Sequence, residues 1–155
     1  MRFDQDVPGW ARALGKRCAR LPGMLSPEVA ARRPLFDQLI ANVYRQGQGI
    51  GRHVDLLKFE DGVLGVCLGA DATLTLRRLR EGAAVPPGGE CRIPEEDFSG
   101  EVEEVEVRAG DVYALCGDAR YRWTHEIAAP SLRNGDRRLS LTMRRLRPGA
   151  WQGPG

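Results

Sequence analysis

Short β-type runs separated by turn residues constrain the fold of this chain more than any other feature. From Phe36 onward, apolar and polar residues alternate or form brief apolar runs, which predicts strands at 38–44, 52–57, 62–68, 73–80, 101–108, 112–115 and 138–146. In the run EVEEVEVR, acids alternate with valines, so we expect a strand with one solvated face. Many short strands of this kind predict a mainly β fold of two sheets, a sandwich or barrel of the jelly-roll type.

The first 35 residues predict helices instead. A start signal at Asp6 and Pro8 precedes apolar residues at helical spacing, namely Trp10, Leu14, Cys18 and Leu21. We expect this amphipathic helix to pack on the core with Trp10 buried, although an aromatic residue there could also stack on a nucleic-acid base. A second start signal at Ser26 and Pro27 predicts a shorter helix that ends before Pro34.

The length of 155 residues suits one domain, which we divide into an N-terminal helical segment at 1–35, a jelly-roll core at 36–147 and a flexible tail at 148–155. The 23 basic and 21 acidic residues nearly cancel, so net charge alone favours neither nucleic acid nor a membrane surface. We expect no signal peptide or membrane span. The four cysteines lack zinc-binding spacing, which indicates reduced thiols in the cytoplasm or nucleus: Cys18, Cys67, Cys91 and Cys116.

Two histidines and one aspartate form a candidate metal site. His53 and Asp55 are two residues apart on a predicted strand, so their side chains would project from the same face. His125 is the only other histidine, so a site of two histidines and one carboxylate can be assembled in a single way. Such a site binds iron(II), although manganese, cobalt or nickel would also be accepted. A lone His-x-Asp pattern is nevertheless common, and His125 could equally be a hydrogen-bonded core residue.

Two arginines near the end of the chain point to an anionic ligand. Arg138 and Arg144 are six positions apart on a predicted strand, and this even spacing places both side chains on one face. Two guanidinium groups aimed into one cavity are costly unless they meet anions. A dicarboxylate supplies two such anions, and arginine pairs with each carboxylate through two hydrogen bonds.

Three ordered segments resemble the AlkB family of iron(II)- and 2-oxoglutarate-dependent dioxygenases. The chain reads NVYRQGQGIGRHVD at 42–55, GDARYRWTHEI at 117–127 and RRLSLTMR at 137–144. The corresponding family motifs are approximately N-x-Y-x-x-G-x-x-I-x-x-H-x-D, G-x-A-R-Y-x-W-x-H and R-x-S-x-T-x-R. The resemblance covers roughly residues 36–146. It implies a double-stranded β-helix (jelly roll) that uses Fe(II), 2-oxoglutarate and dioxygen.

The resemblance also implies roles for individual residues. His53, Asp55 and His125 match the iron ligands of the family. Arg138 matches the arginine that pairs with the distal carboxylate of 2-oxoglutarate, and Tyr44 matches the tyrosine whose hydroxyl helps to hold that end. Lysine would be a poor replacement for such an arginine, because it cannot form the bidentate pair.

Three further residues match the part of the family site that holds 2-oxoglutarate. Asn42 and Arg144 match residues near the carboxylate and keto group that chelate iron. Ser140 occupies a position that is asparagine in some bacterial relatives, so the resemblance specifies its contact less closely. The implied reaction hydroxylates a C–H bond, and where the carbon bears nitrogen the product releases formaldehyde, which amounts to oxidative demethylation.

The substrate stays open at this point. A methylated nucleic acid (RNA, tRNA or DNA) is slightly favoured, because several arginines could follow a phosphate backbone or, alternatively, form a solvated strand face: Arg77, Arg78, Arg80, Arg120 and Arg122. Protein demethylation or hydroxylation is a close alternative, and a non-catalytic jelly-roll binding module is another.

The N-terminal segment differs from that of the base-repairing members of the family. Those members carry an extended lid before the N-x-Y motif, which clasps a flipped base. Here 41 residues precede Asn42, and they predict helices rather than a β-lid. The wording of the motifs resembles the eukaryotic fourth, sixth and eighth AlkB homologues, whose substrates differ among protein and tRNA.

Overall fold

A computed structural model describes residues 2–4, 6–85, 93–129 and 132–150, with side chains from residue 6 onward. Within these ranges the helices are α1 (Gly9–Cys18), α2 (Pro27–Ala30) and α3 (Asp118–Tyr121), with a single 3-10 turn at Glu95–Asp97. The strands are β1 (Arg2–Asp4), β2 (Gln38–Arg45), β3 (Ile50–His53), β4 (Val63–Leu79), β5 (Phe98–Val107), β6 (Val112–Leu115), β7 (Trp123–Ile127) and β8 (Arg133–Arg144).

All eight strands belong to one antiparallel sheet that curls into two facing halves. The first half has the strand order β1-β2-β8-β4-β6, and the second half has the order β5-β4-β7-β3. Strand β4 belongs to both. This arrangement confirms the predicted mainly β jelly roll behind N-terminal helices, and it leaves a space between the halves that the side chains of both can reach.

The two strands predicted at 62–68 and 73–80 form the single 17-residue strand β4, so the predicted break between them is wrong. The first part of β4 pairs with β6 and β8, and the second part pairs with β5 and β7. Gly69, near the change of partners, has a φ of +79°, and a Cβ there would lie 2.4 Å from the carbonyl oxygen of Arg137. Only glycine fits this position without strain. The change in hydrophobic pattern therefore marks the point where β4 passes from one half-sheet to the other, and not a turn.

Helix α1 covers the outer face of the first half-sheet, as its amphipathic pattern predicted. The residues that meet in this layer are Val7, Ala11, Cys18, Leu35, Phe36, Leu39, Leu64, Val66, Leu141 and Met143. Two details of the prediction are wrong. Trp10 is 56% exposed, because the core-facing side of the helix runs through Ala11, Gly15 and Cys18. The N-cap is Pro8 and no side chain caps this end, so Asp6 does not have the capping role.

Helix α2 begins as predicted. The hydroxyl oxygen of Ser26 accepts a hydrogen bond of 3.3 Å from the backbone N–H of Val29, and Pro27 occupies the first turn. The helix ends at Ala30, before Pro34.

Strand β5 contains the predicted run 101–108 except its last residue, but both of its faces are exposed. Val102 and Val105 are 50% and 45% exposed, respectively. These valines are three residues apart, so they lie on opposite faces of the strand and neither face is apolar. The expectation of a single solvated face is therefore wrong. The acids instead line a strand whose one partner among the described strands is β4.

Asn134 and Gly135, a pair of residues typical of turns, lie inside β8, where Asn134 has a φ of 57°. The Asn134 side chain donates a hydrogen bond of 2.6 Å to Asp71, which lies just after the point where β4 passes from one half-sheet to the other. This contact links β8 to β4 close to the register shift between Gly69 and Asp71.

Residues 86–92, which include Cys91, and part of the predicted tail at 148–155 lie outside the described residues. The other three cysteines are free thiols: Cys18, Cys67 and Cys116. In the described part of the chain, no helix is both long enough and apolar enough to cross a membrane.

Candidate active site

A cavity of about 90 Å³ lies between the two half-sheets, with room for a small molecule rather than a single water. Its walls come from six strands, β2, β3, β4, β6, β7 and β8, and from the segment that follows β3. The structure brings all eight residues singled out in the sequence to this cavity: Asn42, Tyr44, His53, Asp55, His125, Arg138, Ser140 and Arg144.

The three candidate metal ligands meet at one end of the cavity. His53 is directly opposite His125 in the pairing of β3 with β7, and the two imidazole centroids are 4.2 Å apart. The Nε2 atom of His125 lies 3.9 Å from a carboxylate oxygen of Asp55. Strand β3 ends at His53, so Asp55 lies just past the strand and not on it as predicted. The predicted alternation of side chains still holds. His53 and Asp55 line the cavity, whereas Val54 between them is buried in a separate apolar cluster with Leu79 and Phe98.

Hydrogen bonds orient two of these ligands. The Nδ1 atom of His53 lies 2.8 Å from the carbonyl oxygen of Gly51, which directs Nε2 away from the backbone and leaves it available as a ligand. One carboxylate oxygen of Asp55 accepts a hydrogen bond of 3.0 Å from Arg144. A buried carboxylate held in this way keeps a fixed direction.

The electrostatic environment of His125 suits a metal ligand. Burial, together with the smaller effect of the neighbouring His53, lowers the pKa of His125 to about 4. The imidazole is therefore neutral at ordinary pH, which is the form that binds metals.

Two imidazoles and one carboxylate are suitable metal ligands, but these side chains are too far apart to coordinate a metal ion as they stand. In the described residues, no three His, Cys, Asp or Glu side chains are arranged as a group that could hold a metal ion as they stand. Two adjacent ligand atoms, each about 2.1 Å from a metal, lie about 3 Å apart. The separation of 3.9 Å between His125 and Asp55 is about 1 Å wider than this. Small side-chain movements would be enough to close the group.

The other end of the cavity is suited to a carboxylate. Arg138 is 1% exposed, and its guanidinium donates a hydrogen bond of 3.4 Å to the sulfur of Cys67. Its buried Nε has no hydrogen-bond partner in the described structure. Leaving a buried N–H unpaired is costly, so this group fits an incoming anion. Tyr44 is beside it, with the ring centroid 5.8 Å from the guanidinium carbon, and burial raises the pKa of this tyrosine.

Asn42 and Ser140 lie next to Tyr44 and Arg138 along β2 and β8, whereas Arg144 lies beside Asp55 at the metal end. Asn42 and Ser140 are directly opposite each other in the pairing of β2 with β8, and the Asn42 side chain hydrogen-bonds Tyr44. Arg144 binds Asp55 and also donates to Gln38, while its guanidinium carbon lies 3.7 Å from the ring centroid of Phe59. Arg144 thus directly contacts a candidate metal ligand.

Tyr113 also lines the cavity, although the sequence argument did not select it. Burial raises its pKa to about 12, so its hydroxyl stays protonated at ordinary pH. In the predicted strand 112–115, Tyr113 shares a face with Leu115, which also lines the cavity, so the alternation of this strand is a signal that could have found it.

The arginines expected to follow a phosphate backbone are engaged within the protein. Arg77 forms an ion pair of 2.8 Å with Glu95, and Arg78 forms ion pairs with Glu101 and Asp118. Three others donate to backbone carbonyls: Arg80, Arg120 and Arg122. Arg120 is 1% exposed, so the expectation that it follows a phosphate backbone is wrong. The other four arginines are bound to acidic side chains or backbone carbonyls, so their contacts do not support that expectation either.

Comparison with known proteins places the sequence in a family. Residues 5–144 match the 2OG-Fe(II) oxygenase superfamily. The chain is 33% identical over 92 residues to the tRNA (carboxymethyluridine(34)-5-O)-methyltransferase alkbh8 of Xenopus tropicalis, a match that covers 59% of this chain and 12% of the relative. It is 26% identical over 157 residues to the alkylated DNA repair protein ALKBH8 homolog of Arabidopsis thaliana, covering 85% of this chain and 44% of the relative.

A solved structure supports the fold. The structure of OsALKBH1 superposes with a TM-score of 0.55 at 16% identity, covering 90% of this chain and 66% of the other. The chain spans less than half the length of the two ALKBH8-type relatives it matches. From the sequence match and the shared jelly roll, the chain belongs to the 2OG-Fe(II) oxygenase superfamily of oxidoreductases and is AlkB-like within it.

Proposed function

We propose that the chain is an Fe(II)- and 2-oxoglutarate-dependent dioxygenase that hydroxylates or oxidatively demethylates a macromolecular substrate, with methylated nucleic acid as the favoured class. The single observation that carries this proposal is the content of one cavity. Two imidazoles and a carboxylate lie at one end, and a buried arginine with an unpaired N–H lies at the other. In this proposal residues 36–147 form the catalytic core, 1–35 the supporting helical segment and 148–155 the tail.

His53, Asp55 and His125 would hold the metal. The family implies iron(II) as this metal, 2-oxoglutarate as cosubstrate and dioxygen as oxidant. Two neutral imidazoles and one carboxylate are the donor set of non-haem iron oxygenases, which leaves three positions for other ligands. Arg144 keeps Asp55 directed toward this position through their hydrogen bond of 3.0 Å.

Arg138 and Tyr44 would hold the distal carboxylate of 2-oxoglutarate. The unpaired Nε of Arg138 supplies one hydrogen bond, and the terminal nitrogens supply others. Asn42 and Ser140 would contact the chelating part of the cosubstrate together with Arg144. Apolar residues of the second half-sheet exclude bulk water from this space: Ile50, Leu74 and Ile127.

With iron and 2-oxoglutarate bound, this family couples oxidative decarboxylation of 2-oxoglutarate to succinate and carbon dioxide with hydroxylation of a substrate C–H bond. The residues of this chain contribute orientation and exclusion of water. A hydroxylated N-methyl group then releases formaldehyde, and the nitrogen keeps a hydrogen in place of the methyl group.

The preference for nucleic acid rests on the named activities of the relatives, one on tRNA and one on alkylated DNA. The engaged arginines beside the cavity add no support to it. A protein substrate is therefore the second candidate class, and a binding module without turnover is the third. An intracellular location stays a prediction.

Succinate formation from 2-oxoglutarate by anaerobically iron-loaded protein tests the enzyme proposal. We expect turnover that depends on iron and is lost in His53→Ala, while Glu103→Ala on the exposed strand β5 keeps it. Formaldehyde release from N-methylated oligonucleotides, compared with N-methylated peptides, then separates the two substrate classes. Absence of iron-dependent succinate in the wild-type protein, with every substrate offered, would contradict the proposal.

A further inference from the structure

Arg120 lies outside the cavity but contacts the segment that carries Asp55. It belongs to α3, five positions before His125 in the chain. It is 1% exposed and is one of the largest fully buried side chains among the described residues. A charged side chain this deeply buried needs specific partners to offset the loss of hydration.

Those partners are three backbone carbonyls of one short segment. Nη1 donates a hydrogen bond of 3.0 Å to the carbonyl oxygen of Asp55. Nη2 donates to the carbonyl oxygens of Leu56 and Phe59 at 2.9 and 3.3 Å. A single planar guanidinium thus fixes residues 55–59, which leave strand β3 directly after His53. The rigid fork of arginine suits this task, whereas a lysine ammonium provides one point of attachment.

The contacts of Arg120 join two parts of the candidate metal site. His125 follows Arg120 on the same continuous piece of chain, through α3 into β7. Asp55 is held twice, by Arg120 at its backbone carbonyl and by Arg144 at its carboxylate. A buried charge of this kind adds little to stability compared with an apolar residue of similar size, so a positioning role accounts for it better than packing alone.

We propose that Arg120 is a positioning residue, which fixes the backbone of Asp55 beside His125 so that small side-chain movements complete the metal site, and which thereby sets the metal affinity of the site. The inference rests on the proposed function, because it takes His53, Asp55 and His125 as the metal ligands. It adds a residue that touches neither the metal position nor the cavity.

The C-cap residue of α3, Arg122, provides a matched control. Arg122 lies two positions later and also donates to backbone carbonyls, those of Arg80 and Ala83. These carbonyls belong to a loop that carries no candidate ligand. The test therefore compares Arg120→Met and Arg120→Lys with Arg122→Met and Arg122→Lys in the full chain.

Metal binding is measured without turnover, by titrating metal-free protein with Co(II) and recording the d–d absorption bands. Thermal unfolding followed by circular dichroism reports whether each variant is folded. We expect Arg120→Met to weaken Co(II) binding by about 10- to 100-fold, the usual effect of removing a group that orients a ligand. Arg120→Lys should show a smaller loss with shifted bands, and both Arg122 variants should stay within about twofold of wild type.

The outcomes separate the two proposals. If wild-type protein binds no Co(II), or if His53→Ala binds it equally well, the proposed metal site is wrong and this inference is wrong with it. If wild-type protein binds Co(II) and folded Arg120 variants bind it as tightly, only the positioning role of Arg120 is overturned. If Arg120→Met does not fold, the affinity and bands of Arg120→Lys decide.

Discussion

Gly65 and Tyr113 form a close contact at the wall of the cavity. They are directly opposite each other in the pairing of β4 with β6. A Cβ built on Gly65 would lie 2.3 Å from Cζ, 2.5 Å from Cε1 and 2.7 Å from Oη of Tyr113. Carbon atoms in favourable contact are about 3.5–4.0 Å apart, so the ring would have to move by more than about 1 Å.

We expect Gly65→Ala to lower the free energy of unfolding by about 1–3 kcal/mol, the usual cost of adding a methyl group to a packed site. The cause is the ring and not the backbone, since Gly65 lies in regular strand. In a Tyr113→Ala background the effect should change sign, because alanine at a compatible glycine position stabilises a protein by about 0.4–1 kcal/mol.

Guanidinium unfolding of four proteins measures both effects: wild type, Gly65→Ala, Tyr113→Ala and the double variant. The change of sign predicts a coupling energy of about 1.4–4 kcal/mol between the two positions. An equal cost of Gly65→Ala in both backgrounds would refute the reasoning, since the alanine would then be opposed by something other than the Tyr113 ring.

Three further predictions concern the two ends of the cavity and the cluster behind it. Arg138→Lys should weaken 2-oxoglutarate binding to Mn(II)-loaded protein by at least about tenfold in calorimetric titration, because lysine cannot form the bidentate pair; unchanged affinity would remove Arg138 from the cosubstrate site. In the metal-free protein, the pKa of His125 is lowered to about 4 from its ordinary value of 6.5, so stability should be complete above pH 6.5 and should fall as the pH drops toward 4. Denaturant unfolding across this range should show a flatter profile for His125→Asn, and an identical profile would contradict the assignment. Phe98→Ala should cost about 3–5 kcal/mol, whereas Val102→Ala on the exposed part of the same strand should stay within about 0.5 kcal/mol, and similar losses would contradict the burial difference.

Much of the candidate site could be predicted because its residues lie on strands with clear alternation. His53, Asp55 and His125 were selected from residue type and spacing. The structure places the ring centroid of His125 4.2 Å from that of His53, and its Nε2 atom 3.9 Å from a carboxylate oxygen of Asp55. The even spacing of Arg138 and Arg144 correctly predicted that both face the cavity. Period-2 alternation holds along a strand whatever its partners, which is why these predictions succeeded.

The exposure and contacts of a side chain were less predictable from the sequence than the direction in which it points. Trp10 shares the helical spacing of the buried residues yet is exposed, because the width of the core-facing side depends on what the helix packs against. Arg120 and Arg78 look alike in sequence, but one is buried against carbonyls and the other is exposed in ion pairs. Local sequence does not say which distant groups will be opposite a side chain.

The sequence by itself selected eight residues that line the cavity, but it did not select Tyr113. Residue type and strand alternation selected His53, Asp55, His125, Arg138 and Arg144, and the family resemblance added Asn42, Tyr44 and Ser140. Only the tertiary structure decided what each residue contacts. It joined two predicted strands into β4, assigned Arg144 to Asp55 across 89 positions of the chain, and placed Arg120 on the carbonyls of the segment after His53. Such contacts depend on strand register and burial, which arise from pairing between distant segments rather than from the pattern within any one of them.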